Sequence, residues 1–169
     1  MHWWDNAVDE RYWCEITYRP DVGADLKCPQ AKEDGQPYWS YSLIREVVPG
    51  DIVFHYSTRE QAFVGASVAG GPLEDRRIVW VPHGTAGRGS EAQPRPGWWL
   101  PLHGCVMAKN GLMLSELRSA ENETWIAEWV RRTKEVSAPA APFQSYPTGL
   151  RAAQGDLTKM PREVVDRWW

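Results

Sequence analysis

The chain has 169 residues, of which 43% are hydrophobic and 24% charged. This length and composition predict one globular domain and exclude a disordered or fibrous protein. The formal net charge of -3 excludes a uniformly basic nucleic-acid-binding protein. No apolar run approaches the ~20 residues of a membrane helix, and three scattered cysteines favour a reducing compartment, so we expect a cytoplasmic protein without a membrane partner.

Tryptophan is the unusual component, with 11 copies against 3 phenylalanines. An indole combines a flat face with an N–H donor, which favours sites for flat ligands. Charge is also uneven, because residues 1–60 carry six basic and eleven acidic side chains, whereas residues 76–103 carry four arginines and one glutamate. The middle of the chain is therefore predicted to bind phosphates through Arg76, Arg77 and Arg88, unless these arginines simply lie on a solvated loop.

The first half of the chain predicts three strands and a short helix. Residues 12–18 alternate as a strand and place three side chains on one face: Trp13, Glu15 and Thr17. Residues 19–37 have a loop composition, and residues 38–47 predict a short helix. A hairpin turn connects the strands at 52–56 and 62–68.

The second half begins with a long connection, 72–97, which contains an apolar island at 78–81. Residues 98–102 predict a strand that is broken or at a sheet edge, because Pro101 cannot donate to a ladder. Three short helices follow, at 114–118, 124–132 and 161–169. Strands flanked by short helices, without a βαβ rhythm, predict an α+β domain around a small mixed or antiparallel barrel. We expect its core in residues 1–136 and a C-terminal extension in 137–169, which either packs on the domain or leads to a further one.

Motifs for hydrolysis, nucleotide binding or metal binding do not occur at their required spacings, so no cofactor or metal is predicted. The segment Gly65–Ser67 only resembles a nucleophile elbow, because it falls in the middle of a strand. His55 lies in the strand 52–56 and is a candidate binding residue. The alternative for His55 is a buried, hydrogen-bonded structural role.

An aromatic site remains as the best candidate. Trp39, Ser40, Tyr41 and Ser42 place hydroxyl groups beside an indole at a helix start, and Trp80 lies on the apolar island near two arginines. Two indoles with hydroxyl groups between them could stack on a flipped base and read its edge. The alternative is that Trp39 and Trp80 belong to the core.

Several segments in this order resemble the EVE domain of the PUA superfamily. They are Trp13–Thr17, Trp39–Ser42, Val48–Ser57 and Ala62–Gly71, followed by Trp98–His103 and Leu114–Arg118. The related YTH domains carry cage tryptophans at the places of Trp39 and Trp80. The segments 95–99 (RPGWW) and 154–161 (QGDLTKMP) resemble EVE domains fused to HNH nucleases.

The resemblance implies a PUA-like fold, a small mixed β-barrel flanked by short helices. It also implies a non-enzymatic reader that flips a modified base of DNA, by our expectation a modified cytosine, within a modification-dependent restriction system. An HNH nuclease would then lie in the same chain or in a partner. Two rivals stay open: an RNA reader of the YTH kind, and an enzyme or small-molecule sensor that uses His55 and Tyr56 in one pocket.

Overall fold

The computed structural model describes residues 2, 4–5, 7, 9–81, 92–136 and 141–169, with the backbone alone for residues 133–136. Arg88 lies outside these ranges. Within them, no helix is long and apolar enough to cross a bilayer. The strands are β1 (Tyr12–Thr17), β2 (Asp25–Pro29), β3 (Ile52–Ser57), β4 (Ala62–Ala69), β5 (Glu74–Val79), β6 (Pro94–Met113), β7 (Phe143–Tyr146), β8 (Gly149–Ala152) and β9 (Leu157–Lys159). The helices are α1 (Trp39–Ser42), a 3₁₀ turn (Leu43–Glu46), α2 (Leu114–Leu117), α3 (Ala120–Val136) and α4 (Arg162–Trp168).

The main sheet has the order β2-β6-β4-β3-β1-β9, with β5 also paired to β6. β1 and β3 are parallel, and the other pairs are antiparallel, so the sheet is mixed. The three strands predicted around 12–18, 52–56 and 62–68 share this sheet, as expected. A mixed β half-barrel with short helices confirms the α+β, PUA-like fold class.

The expectation of a broken or edge strand at 98–102 was wrong. β6 is the longest strand and lies between β2 and β4 in the sheet. Pro101 sits where β6 changes partner: it is the last residue paired with β2, and Leu102 is the first in register with β4. The missing N–H is tolerated at this change, while the Pro101 carbonyl still accepts a hydrogen bond from the Gly70 N–H at 2.8 Å.

Two strands were not foreseen, β2 within the expected loop 19–37 and β5 within the expected connection 72–97. Both carry charged residues and lack clean alternation, and both are antiparallel partners of β6. Pairing with a long neighbouring strand therefore decides their conformation, where local propensity does not.

Alternation along β1 and β3 separates two faces of the sheet. The α3 face carries Cys14, Ile16, Phe54 and Tyr56, which pack in one core cluster with residues of α2, α3, α4, β7 and β8. The cavity face carries Trp13, Glu15, Thr17, Val53 and His55. Its apolar members pack with β2, the 3₁₀ turn and Trp80.

Residues 141–169 contribute to the same sheet and core. β9 pairs with β1 and brings Lys159 opposite Trp13. Phe143, Leu150 and Met160 are buried in the cluster of the α3 face. The structure thus places this C-terminal segment against the strands that position the site.

Candidate functional site

A small cavity opens on the cavity face, between β1, β2, the 3₁₀ turn and the segment that leads into β9. Its volume is about 20 Å³. Its polar lining is Glu15, Thr17, Arg19, Lys27 and Asp156, and its apolar lining includes Leu26, Ile44 and Trp80. A cavity of this size holds about one water molecule, whereas drug-sized ligand pockets measure about 300–1,000 Å³. The site is therefore closed in this conformation.

Behind the cavity, a buried polar chain crosses three strands. His55 Nδ1 lies 2.7 Å from Glu15 Oε2, and His55 Nε2 lies 2.7 Å from Ser67 Oγ. All three side chains are buried, and the His55 side chain has no exposed surface. With both ring nitrogens engaged, His55 fixes the orientation of Glu15 and does not line the cavity. The structure therefore matches the structural alternative that the sequence left open for His55.

The polar chain continues toward solvent through Arg19. Its Nη2 lies 3.8 Å from Glu15 Oε1, and its Nη1 donates to Asp25 Oδ1 at 2.6 Å. Burial acts to raise the pKa of Asp25, but the hydrogen bond and charge of Arg19 outweigh it and hold that pKa below its ordinary value. Trp99 Nε1 also donates to Asp25, at 3.0 Å. The chain is thus a compensated ionic network that supports one wall of the cavity.

Asp156 is the cavity carboxyl that the sequence reasoning missed. Its N–H donates to Ser40 Oγ at 3.2 Å, and its carbonyl accepts from the Ile16 N–H at 2.9 Å. Burial first, and then the negative charge of Glu15, raise the pKa of Asp156 to about 7. This group therefore changes its charge near neutral pH, inside the cavity.

Gly155 allows this segment to approach α1. A Cβ added at Gly155 would lie 2.9 Å from Ser40 Cβ and 3.0 Å from Trp39 Cη2. Any larger residue would push the 154–157 segment away from the helix. The segment QGDLTKMP was noted for its family resemblance, and a glycine–aspartate pair just before a strand was the available signal for Asp156.

The aromatic residues predicted as a cage form a row of rings. Trp80 meets Tyr41 edge-on, with ring centroids 5.4 Å apart, and Tyr41 meets Tyr38 at 5.0 Å. Tyr38 then contacts Trp39 at 5.8 Å. Trp80 is buried in the cavity wall, whereas Trp39 lies against Gly155 and is not among the residues that line the cavity. Two tyrosines therefore separate the two indoles along this row.

Of the predicted hydroxyl groups, Ser40 and Tyr41 are buried and Ser42 is exposed. Ser40 Oγ accepts a hydrogen bond from the Asp156 backbone, as described above. Ser42 Oγ instead donates to the Trp39 carbonyl at 2.9 Å. The structure therefore directs Ser40, but not Ser42, toward the cavity segment.

The predicted phosphate-binding residues Arg76 and Arg77 are both exposed on β5. Arg76 stacks over the Trp99 ring at 4.3 Å and lies 3.7 Å from Glu74. Arg77 donates to the Pro94 carbonyl at 2.6 Å. Because they are neighbours on a strand, the two side chains point to opposite faces.

Arg95 is an arginine that the sequence reasoning did not select. Its guanidinium lies 5.7 Å from the Trp80 ring, and it forms an ion pair with Glu33 at 3.3 Å. It is therefore the arginine that the structure brings to the indole in the cavity wall.

The pairing of His55 with Tyr56 in one pocket was wrong. Consecutive strand residues point to opposite faces, and Tyr56 packs on the α3 face against Phe63 and Phe143. His55 lies on the cavity face. Among the described residues, no group of three or more His, Cys, Asp or Glu side chains could hold a metal ion.

Comparison with known proteins gives distant structural likenesses alone. No protein-family model matches the sequence, and no curated protein matches it. The structure is similar to ASCH from Zymomonas mobilis, at 9% identity over 94% of each chain, with a TM-score of 0.47. It is also similar to the N-terminal domain of Staphylothermus marinus McrB, at 13% identity over 93% of this chain and 92% of that one, with a TM-score of 0.45. A third likeness is a structural-genomics protein from Agrobacterium tumefaciens, at 12% identity over 92% and 88% of the two chains, with a TM-score of 0.45. At these scores the likenesses carry no argument about function.

Proposed function

We propose that the protein is a non-enzymatic reader of a modified base, and that the cavity beside Trp80 receives that base after it is flipped out of DNA. The observation that supports this most is the composition of one wall system. A buried indole, two carboxyl groups and a hydroxyl group converge on the same small space, through Trp80, Glu15, Asp156 and Thr17. A flipped base needs a stacking surface and polar groups for its edge.

Binding must open the cavity, because its present volume admits about one water molecule. Trp80 follows the last residue of β5, so a change in its side chain can enlarge the space without breaking the sheet. Unpairing the base costs a few kcal/mol, and stacking on an aromatic ring returns about 1–3 kcal/mol. Selectivity for the modified base then arises inside the opened pocket.

The backbone of the DNA would be held by exposed arginines on β5 and β6, among which Arg76 and Arg95 lie over indole rings. The acidic residues Glu74 and Glu33 lie within 4 Å of these two side chains, at 3.7 and 3.3 Å. Phosphate contacts are therefore few, and we expect about two to four of them. Cleavage of the DNA would be performed by an HNH nuclease domain in the same or a partner chain.

The test measures affinity by fluorescence anisotropy for duplexes that carry one 5-methylcytosine or none. A single-stranded RNA with one N6-methyladenine is the third probe. Wild-type protein is expected to bind the modified duplex best. Trp80→Ala is expected to weaken that binding about 5- to 150-fold, the loss of one base–indole stack.

Trp125→Ala is the matched control, because it removes a partly buried indole from α3, on the other face of the sheet. It should keep the preference for the modified duplex. Trp80→Phe retains a ring and serves if Trp80→Ala does not fold. Tightest binding to the RNA would replace this proposal with an RNA reader, and equal affinity for all three probes would reject a base reader altogether.

A further inference from the structure

We infer that Asp156 is the specificity-determining residue of the cavity and reads the amino–imine edge of a base through a pair of hydrogen bonds. That edge is the N4 amino group with N3 in cytosine, and the N6 amino group with N1 in adenine. The inference rests on the proposed function, since it assigns the base class that the same cavity takes.

Asp156 is fixed in position by the chain on both sides. Its backbone is hydrogen-bonded to Ser40 of α1 and Ile16 of β1. Gly155 keeps the segment tight against Trp39. A carboxyl group held by two elements in a cavity wall presents a defined pair of oxygens to whatever enters.

The other charged groups of the cavity are already engaged. Glu15 Oε2 lies 2.7 Å from His55, and its Oε1 faces Arg19 at 3.8 Å. Lys27 Nζ lies 3.9 Å from Asp25, which also binds Arg19. Asp156 is thus the carboxyl best placed to form new hydrogen bonds with a ligand.

A protonated carboxyl group has the pattern that this edge requires. Its O–H donates to the ring nitrogen, while its carbonyl oxygen accepts from the amino group. An ionised carboxylate has no donor and would set its second oxygen against the lone pair of the ring nitrogen. The acid form therefore recognises the amino–imine edge, and the ionised form repels it.

The surroundings of Asp156 favour the acid form at neutral pH. The titratable and charged groups that face it from β1, β2 and the region of α1 are Glu15, Arg19, Lys27, Cys28, Tyr38 and Tyr41. Burial contributes most to the raised pKa, and Glu15 adds to it. Because that pKa is about 7, the donor is present at pH 6 and largely lost at pH 8.5.

The experiment compares wild type, Asp156→Asn and Asp156→Ala at pH 6.0 and 8.5. The probes are duplexes with one 5-methylcytosine, with one N6-methyladenine, or with neither. Binding through the acid form alone predicts a roughly 30-fold loss of wild-type affinity between the two pH values, from proton linkage at a pKa near 7. Asp156→Asn should bind within a few-fold of wild type at pH 6.0 and show no such loss, because its amide keeps one donor and one acceptor.

Asp156→Ala should weaken binding at pH 6.0 about 5- to 150-fold, the usual discrimination of a bidentate contact. Asp166→Asn is the control, since it neutralises an exposed carboxylate on α4 and should keep the wild-type pH profile. Tighter binding of 5-methylcytosine assigns the edge to cytosine, and tighter binding of N6-methyladenine assigns it to adenine.

The wild-type pH profile needs no variant, so the inference stays testable if a variant does not fold. A preference for one modified duplex that ignores both pH and Asp156→Ala would overturn the inference and leave the proposed function standing. Binding that tightens at pH 8.5 would also overturn it. No preference for either modified duplex at both pH values would reject the proposed function, and this inference with it.

Discussion

The two faces of β1 and β3 differ in what they bury, although the same strands build them. On the α3 face, Tyr56 meets Phe63 and Phe143 edge-on, and nearly all of the contacts are apolar. On the cavity face, the buried residues Glu15 and His55 are charged or polar. Burial of polar groups is costly unless each is hydrogen-bonded, so this face gives up stability relative to its apolar counterpart. The comparison indicates that one face stabilises the fold and the other presents chemistry.

The polar chain on the cavity face is satisfied almost entirely from within the sheet. Ser67, His55 and Glu15 come from β4, β3 and β1, which are adjacent in the sheet. Their register brings the three side chains to one place without a loop. The cavity wall is therefore held by the most rigid part of the fold, a requirement for a site that discriminates one base from another.

The largest effect is expected on the α3 face. Trp129 is 1% exposed in the centre of its cluster, so Trp129→Ala should cost about 3–5 kcal/mol of the free energy of unfolding. Urea denaturation measures this loss. The ratio of affinities for modified and plain DNA should stay unchanged in the folded protein, and a changed ratio would contradict the division between the faces.

A smaller effect is expected from the polar chain. Ser67→Ala removes the hydroxyl group 2.7 Å from His55 Nε2 and leaves that buried nitrogen without its partner. The expected cost is about 1–3 kcal/mol of unfolding free energy, again by urea denaturation. Ser57→Ala is the control, because Ser57 is also buried but accepts a 3.2 Å hydrogen bond from the backbone of Glu60 at the adjacent turn. If Ser67→Ala costs no more than Ser57→Ala, the chain does not support the cavity wall.

The smallest effect is expected at the surface. Arg76→Ala should reduce the slope of log K against log salt by about 0.9 in magnitude, the value of one phosphate contact. Affinity should fall equally for modified and plain duplexes, because a phosphate contact carries no base information. Arg131→Ala, which removes an exposed arginine of α3 that pairs with Glu128, should leave the slope unchanged. A selective loss for the modified duplex would instead place Arg76 at the base.

The alternation of the first strand predicted the cavity face before the structure was described. Trp13, Glu15 and Thr17 were assigned to one side, and two of these residues line the cavity. Trp80 was predicted to belong to a binding site and lies in the cavity wall. These successes share one cause, since strand periodicity and the position of an aromatic residue beside a strand are local features of a sequence.

What the sequence did not reveal depends on distant contacts. Asp156 meets Ser40 across 116 positions of the chain, and no local pattern marks such a pairing. The same holds for the charged strands β2 and β5, which form because β6 is available to pair. The row from Trp39 to Trp80 follows from how four rings pack, so their order along the chain did not distinguish it from a facing pair.

The central claim is that the base enters the cavity face beside Trp80. It is tested most directly by NMR of the indole N–H signals, with Trp80 and Trp129 assigned through their phenylalanine variants, during titration with a duplex that carries one 5-methylcytosine. The account predicts that the Trp80 signal shifts, that the Trp129 signal does not, and that a plain duplex leaves both near their free positions. A shift at Trp129 together with an unmoved Trp80 would contradict it.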